Sequence, residues 1–207
     1  GTFLIKGYNK IVVREELLGL DWITKRTARH EYFMSATPRQ YSYGNRGTGE
    51  ETYDSKGFSP LVGEIMEKMN ADLDTNFNVC FLNKYDNEKQ HLGWHADDFE
   101  GMRADEPIAV LSQGASREIW VKPKEITCPQ CEGRRSFPRF TRQVCSECNA
   151  KGVVAQTGVV PLNQRILLDG GDLFIMPEGY QDTHLHRIPK HSRPCGWRIS
   201  MTFRSFG

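Results

Sequence analysis

A mainly β (α+β) domain of jelly-roll type, with helical elements towards its N-terminal side and one small insertion, is the architecture this sequence predicts. Three observations carry that expectation. Short runs rich in β-branched and aromatic residues recur between residues 77 and 204 and are punctuated by Gly, Pro and Asp. Only one segment, 60–70, has a clear helical period. Between Trp120 and Val153 lies a stretch with two Cys-x-x-Cys pairs whose composition matches neither flank.

Length and composition bound the remaining choices. At 207 residues the chain holds one domain, 1–207, with a substantial core and room for the insertion, taken as 122–152. A net charge of +1 does not by itself advertise a polyanionic partner. No run approaches the roughly 18 apolar residues that span a bilayer, so no membrane association is expected. Four of the six cysteines fall in the two close pairs, while Cys80 and Cys195 stand apart, which favours a reducing compartment over a secreted disulfide framework. An intracellular protein, cytoplasmic or nuclear and monomeric, is the expectation.

Taken in order, "TFLIKGYNKIVVREELLGLDWITK" reads as short strands leading into a helical segment with apolar positions at Leu17, Leu18 and Trp22 to Ile23. "TPRQYSYGNRGTGEETYDSKG" has the Gly, Tyr and charge of a loop or irregular hairpin. Ser59-Pro60 opens a helix over about 60–70: a capping side chain, Pro at the first helical position, and Leu61, Ile65 and Met69 on one face. Strand-like runs follow: "FNVCFLNKY", "PIAVLSQG", "REIWVK", "GVVPL", "RILLD", "GDLFIMP" and "WRISMTFR".

Within "GWHADDFE", His95 and Asp97 are two residues apart, so on an extended chain they offer an imidazole nitrogen and a carboxylate to one point. That pair suits a two-His-one-carboxylate metal site, which holds Fe(II) on one face and leaves positions open. Alone, His-x-Asp is also compatible with a solvated acidic turn. A third ligand would come from His184, His186 or His191, and the pattern leaves the three open.

"NKY" at Asn83 to Tyr85, "HADD" at His95 to Asp98, "HRIPK" at His186 to Lys190 and "RISMTFR" at Arg198 to Arg204 together resemble the AlkB family of Fe(II)- and 2-oxoglutarate-dependent nucleic-acid dioxygenases. The similarity runs from about Pro38 to Phe206, interrupted by the cysteine-bearing stretch. It implies a double-stranded β-helix core, with His95, Asp97 and His186 as the catalytic iron ligands. It leaves His184 as a neighbour of the site or an ordinary strand residue.

The alternation in "RISMTFR" puts Arg198, Ser200, Thr202 and Arg204 on one face, and periodicity alone would turn that face to solvent. The resemblance turns it inward. It implies that Arg204 pairs with the distal carboxylate of 2-oxoglutarate, that Arg198 holds the cosubstrate nearer the metal, and that Asn83 and Tyr85 donate hydrogen bonds to it. A planar guanidinium suits such a carboxylate. The implied reaction converts 2-oxoglutarate and oxygen to succinate and carbon dioxide while a C–H bond is hydroxylated; an N-linked methyl then leaves as formaldehyde.

On the substrate side the resemblance makes "PRQYSYGNRGTGEETY" a lid, with Arg39, Tyr41, Tyr43, Arg46 and Tyr53 mixing cations and rings that can stack a base. The bland alternative is a surface loop whose tyrosines pack on the barrel. Arg117 matches a family position near the site. Relatives commonly carry an acidic residue two positions after the metal-binding Asp; here Phe99 stands there and Glu100 follows, so both enter the substrate set. Asp98 is expected to orient another side chain.

Cys128-x-x-Cys131 and Cys145-x-x-Cys148 can point four thiolates at one structural Zn(II). Paired disulfides or a redox role are the alternatives. The insertion is basic: Lys122, Lys124, Arg134, Arg135, Arg139, Arg142 and Lys151 face three acids, Glu125, Glu132 and Glu147. It either staples an otherwise coreless segment or lays its arginines along phosphate. The expected function is oxidative demethylation of alkylated DNA or RNA bases. The alternatives are a hydroxylase that installs a base modification, a non-catalytic zinc-dependent nucleic-acid-binding module, and a protein hydroxylase.

Overall fold

The computed structural model describes residues 2–10, 15–26, 28–43, 51–97, 99–132, 146–149, 151, 153–155 and 164–207. In chain order its elements are β1 (Phe3–Ile5), α1 (Glu15–Leu18), β2 (Ile23–Arg26), β3 (Arg29–Ser35), β4 (Gln40–Tyr43), β5 (Glu51–Asp54), α2 (Pro60–Leu73), β6 (Val79–Tyr85), β7 (Leu92–His95), β8 (Ile108–Gly114) and β9 (Arg117–Pro123). They continue with β10 (Glu125–Thr127), β11 (Val153–Ala155), β12 (Gln164–Leu168), β13 (Leu173–Met176), α3 (Tyr180–Thr183), β14 (His184–Ile188) and β15 (Arg198–Arg204).

Two sheets face each other. The larger has the order β1-β13-β8-β15-β6-β3-β2 and the smaller β12-β9-β14-β7, with every pairing antiparallel. This is the mainly β, jelly-roll arrangement the strand runs predict. Two further two-stranded ribbons stand outside the sheets: β4 with β5, and β10 with β11.

β15 shows why alternation alone misleads. All seven of its residues are buried, because it is central in the larger sheet and both faces are covered. Ile199, Met201 and Phe203 share a cluster with Val62, Ile65 and Met69 of α2, each such burial being worth ~1.5–3 kcal/mol. Arg198, Ser200, Thr202 and Arg204 therefore turn towards the smaller sheet, into the interior of the jelly roll. There a second cluster holds Tyr85, Ile108, Val110, Phe174 and Met176 from the larger sheet and Ile119, Val121, Leu168 and Ile188 from the smaller.

Several local expectations need correction. The helical segment expected around Leu17 to Ile23 is confined to α1, and Ile23 already belongs to β2. Gly19 closes the turn by donating its N–H to the Glu15 carbonyl, after which Asp21 precedes the strand. α2 runs beyond residue 70 to Leu73 and ends where Asp74 adopts the left-handed conformation. Its Ser59 makes no side-chain cap; the Leu61 N–H donates instead to the Glu16 carboxylate at 3.2 Å, so α1 caps α2.

β6, β8, β9, β12, β13 and β15 fall on the predicted runs, whereas "GVVPL" lies outside the described residues. The Gly- and Tyr-rich stretch forms the hairpin β4–β5, whose tip, 44–50, lies outside them too. At the end of β8, Gly114 has φ +87°, and a Cβ there would sit 2.4 Å from the Trp197 carbonyl oxygen, so only glycine fits.

After β9 ends at Pro123, the chain forms the antiparallel β10–β11 ribbon, in which Glu125–Thr127 pairs with Val153–Ala155. Cys128, Cys131 and Cys148 are buried together, with the Cys131 and Cys148 sulfurs 3.7 Å apart. Cys145 and Arg134, Arg135, Arg139 and Arg142 lie outside the described residues.

Candidate active site

His95 closes β7, and His186, in the middle of β14, is its register partner across the ladder. Their rings lie 4.2 Å apart, centroid to centroid. Asp97, two residues past His95, is 2% exposed. One ligand atom from each of the three falls within 4.8 Å of the others. Of the three later histidines, His186 is the one that joins this cluster. His184 stacks on Tyr180 at 4.5 Å and pairs with the Thr183 hydroxyl, while His191 pairs with the Arg193 carbonyl.

The protonation pattern suits a cation. His95 Nδ1 lies 2.9 Å from the Gly93 carbonyl, which can only accept, so Nδ1 carries the proton and Nε2 the lone pair. That Nε2 faces Asp97 Oδ1 at 3.5 Å. Burial pushes the His95 pKa down, against the opposing pull of Asp97. Burial and the neighbouring His95 take His186 down to about 3. Burial would raise the Asp97 carboxyl, but Arg204, His186 and His95 outweigh it and hold it at about 2. Two neutral imidazoles thus converge with an ionised carboxylate, and His186 Nδ1 is buried without a hydrogen-bond partner. A lone pair facing an anionic oxygen inside a protein is unfavourable unless a cation lies between them, and the donor set matches the facial triad.

Two further side chains hold Asp97. Arg204 donates to its Oδ2 from Nη2 at 2.7 Å and from Nε at 3.2 Å. Gln181, in α3, accepts the Asp97 backbone N–H through Oε1 at 2.8 Å. The sequence reading missed Gln181, because nothing in its neighbourhood signals a partner 84 residues away.

The two β15 arginines lie at opposite ends of the strand, Arg204 at the metal-side cluster. Arg204, expected at the distal carboxylate, is locked onto the metal-side Asp97. Arg198 lies at the other end of the strand, where β15 pairs with Tyr85 and Gly114. It is fully buried; its Nε donates to Ser112 Oγ at 3.0 Å, while Nη1, Nη2 and the nearby Tyr85 Oη are buried with no partner. Burial lowers its pKa to about 10 despite the Tyr85 hydroxyl. A buried guanidinium with two open donors beside a phenol is costly as it stands and fits a carboxylate.

Asn83 joins the same wall. Its amide oxygen accepts from Arg29 Nε at 2.9 Å, which turns its NH2 the other way, and Arg29 in turn pairs with Glu31 at 2.6 Å. Glu31 also accepts from the Tyr53 hydroxyl. Arg29 and Glu31 were not singled out in the sequence, and Tyr53, expected in the substrate lid, is buried here as their partner.

The expected substrate residues divide. Tyr41 is 4% exposed and packs on Phe81 at 4.7 Å and Phe99 at 4.4 Å, and the Arg204 guanidinium lies 5.7 Å from the Tyr41 ring and 5.5 Å from that of Phe99. Tyr41 and Phe99 thus roof the Arg204–Asp97 pair. Arg39 reaches Thr37 and lies over Phe206 at 5.1 Å, and Glu100 is exposed. The Tyr43 side chain and Asp98 lie outside the described residues. Arg117 is 1% exposed and donates to the carbonyls of Asn87, Gln90 and Pro189. Those bonds tie two loops to β9 and engage both terminal nitrogens.

The comparisons agree with this geometry. A family model described as the 2OG-Fe(II) oxygenase superfamily matches residues 9–204, and the chain belongs to that superfamily. Within it, the chain's relatives are AlkB-family oxygenases. "DNA oxidative demethylase ALKBH2" of Arabidopsis thaliana is 28% identical over 74% of this chain and 45% of its own length. The Mus musculus protein of the same name is 24% identical over 93% of this chain and 73% of its own. "Alpha-ketoglutarate-dependent dioxygenase alkB homolog 3" of Homo sapiens is 27% identical over 70% and 42%. The chain spans about half the length of the first of these relatives and less than half of the last. The solved structure of OsALKBH1 superposes with a TM-score of 0.58 at 14% identity, covering 99% of this chain and 96% of that one, which bears on the fold alone. No helix among the described residues is long and apolar enough to cross a membrane.

Proposed function

We propose that this domain binds Fe(II) through His95, Asp97 and His186 and uses 2-oxoglutarate to demethylate alkylated nucleic-acid bases. The observation that carries the reading is the pairing of two sites in one interior: a neutral-His, ionised-Asp cluster, and the unpartnered Arg198–Tyr85 cradle on the same β15 face. A dicarboxylate would meet Arg198, Tyr85 and the Asn83 amide at its distal end and reach the metal with its 2-oxo acid end. Arg204 keeps Asp97 ionised and turned towards the histidines.

The bound iron, with 2-oxoglutarate and oxygen, supplies the oxidising power to hydroxylate a C–H bond. One oxygen atom goes to succinate as carbon dioxide leaves; the other goes to the substrate methyl, which departs from nitrogen as formaldehyde. The protein's part is to orient the cosubstrate, exclude water and present the base. Tyr41 and Phe99 roof the metal side with flat rings. Tyr41, Phe99, Arg39, Tyr43 and Glu100 are the proposed substrate side, and the DNA demethylase name of the ALKBH2 relatives supports a nucleic acid as the partner. For the insertion we propose one structural Zn(II) held by Cys128, Cys131, Cys145 and Cys148. Glu132 and Asn149, each just after the second cysteine of its pair, both have positive φ, the turn a metal knuckle needs.

The test is incubation with Fe(II), 2-oxoglutarate, oxygen and methylated single- and double-stranded oligonucleotides of DNA and RNA. Formaldehyde and succinate in equal amounts, with loss of the methyl group by mass, are expected. Gain of an oxygen without loss of carbon would replace demethylation by base hydroxylation, and binding without succinate would leave a non-catalytic module.

A further inference from the structure

The smaller sheet has two faces, and only the inner one belongs to the site described above. On its outer face, residues alternating with the buried ones form a layer of cations and indoles drawn from all four strands. Arg165 of β12 lies 4.2 Å from the ring of Trp120 of β9, and Arg187 of β14 lies 4.2 Å from the same indole. Arg187 also lies 4.8 Å from Trp94 of β7, and Lys122 of β9 lies 5.1 Å from Trp94. Trp120 is fixed in turn, its Nε1 donating to Glu118 at 2.6 Å.

Three features of this layer ask for a partner. Among the described residues no carboxylate pairs with Arg165, Arg187 or Lys122, and Arg187 Nε is buried with no hydrogen-bond partner. Trp94 is 36% exposed and Leu167, beside Arg165 on β12, is 49% exposed, so flat and apolar surface remains open. Beside the layer runs a groove of about 370 Å³, sharing Trp120 and Arg187 as its wall and adding His91 and Lys190. No member of the metal cluster and neither β15 arginine lines that groove.

We infer that this outer face is a second contact for single-stranded nucleic acid, holding nucleotides that flank the reacting base; the inference rests on the nucleic-acid reading proposed above. Stacking on an indole holds each guanidinium flat and leaves its edge N–H groups to fork onto a phosphate. The open indole surface offers bases a stacking platform without regard to sequence. The face also lies one sheet's thickness from the iron ligands, since Trp94 and Arg187 directly neighbour His95 and His186 in sequence and point to the opposite side. An acidic peptide would use the cations but not the rings, which is why a polynucleotide is favoured.

The test compares the wild-type chain with Arg165→Ala/Lys122→Ala, a pair outside the metal and cosubstrate machinery. Binding of a labelled single strand of about twenty nucleotides and of a methylated trinucleotide is followed by anisotropy at several salt concentrations. Expected is a loss of about tenfold or more for the long strand, with its salt slope falling by about 1.4, two phosphates at ~0.7 each. Trinucleotide binding, metal content and melting temperature stay unchanged. Trp120→Leu, which keeps the charges, is expected to weaken the long strand several-fold with the slope preserved.

An unchanged affinity and slope in the double variant would overturn the inference. So would equal losses for the long strand and the trinucleotide, or competition by poly-glutamate as strong as by the oligonucleotide at equal charge. If the wild type binds the long strand through Arg165 and Lys122 yet turns over no methylated base, the proposed function fails while this contact stands.

Discussion

Arg204 spends two donors on a single oxygen of Asp97, Oδ2, and so leaves Oδ1 directed at His95 Nε2, 3.5 Å away. The arginine thereby divides the carboxylate into an anchored oxygen and a ligating one. Arg204→Met would leave Asp97 buried without its cation, and loss of one partner of a buried pair costs about 3–5 kcal/mol. Urea unfolding of the metal-free protein should show a loss of that order, with Arg204→Lys in between. A variant as stable as wild type would mean that the pair is solvated in solution.

Arg198 contributes two terminal donors to whatever carboxylate it meets, and charged hydrogen bonds are worth ~1.5–3 kcal/mol each. Arg198→Met should therefore raise the KM for 2-oxoglutarate by about a hundredfold or more while metal affinity holds. If Arg204→Met instead produced the larger KM effect with the metal retained, the assignment of the two ends would be reversed.

Gln181 touches no ligand atom, yet it accepts the Asp97 backbone N–H. Supports of this kind commonly change metal affinity by about 10- to 100-fold. Gln181→Ala should weaken Mn(II) or Co(II) binding within that range, by calorimetry, without changing the far-ultraviolet circular dichroism. An affinity equal to wild type would reduce Gln181 to a packing residue.

The depressed pKa values set a pH dependence. His95 and His186 are held below their ordinary value in the folded state, His186 at about 3, so the unfolded chain binds the extra protons first. Stability of the metal-free protein is therefore expected to be full above about pH 6.5 and to fall as the pH drops towards 3, with the Asp97 contribution lost last. His186→Gln should flatten the decline between pH 6.5 and about 4. A wild-type profile that is flat there would show the imidazoles to be protonated in the fold.

Cys128, Cys131 and Cys148 converge in a small cluster with Val154 as its partly buried apolar neighbour. A segment with so little core should depend on its metal. Purified protein is expected to hold one zinc per chain. Chelation or Cys131→Ser should expose the insertion to protease while His95, Asp97 and His186 still bind metal. Resistance to protease after complete zinc removal would contradict the proposed site.

How much of this was legible in the sequence depends on how far each partnership reaches along the chain. His95 and Asp97 could be paired from their spacing, because strand geometry acts over two residues. The choice of His186 needed the resemblance, since His184 lies on the same strand and differs only in what the fold brings opposite it. Alternation put Arg198 and Arg204 on one face but could not say which end of β15 meets Asp97; that follows from antiparallel register. Burial of that face follows from α2 covering the other, a packing fact with no local signature. Arg117 drew attention as a charged residue in a recognisable motif, yet its bonds go to carbonyls of two distant loops. Trp120 and Arg187 read as ordinary strand residues until three strands are laid side by side.

The central claim is that His95, Asp97 and His186 hold one metal against which a 2-oxo acid, anchored at Arg198, chelates. Anaerobic titration of 2-oxoglutarate into the Fe(II)-loaded protein tests it directly, because chelation of Fe(II) by a 2-oxo acid produces a visible charge-transfer band. A band saturating at one equivalent in wild type, absent in His186→Ala and shifted to far higher concentration in Arg198→Met, is the predicted result. Iron bound without any such band, or a band that Arg198→Met leaves unmoved, would contradict the account.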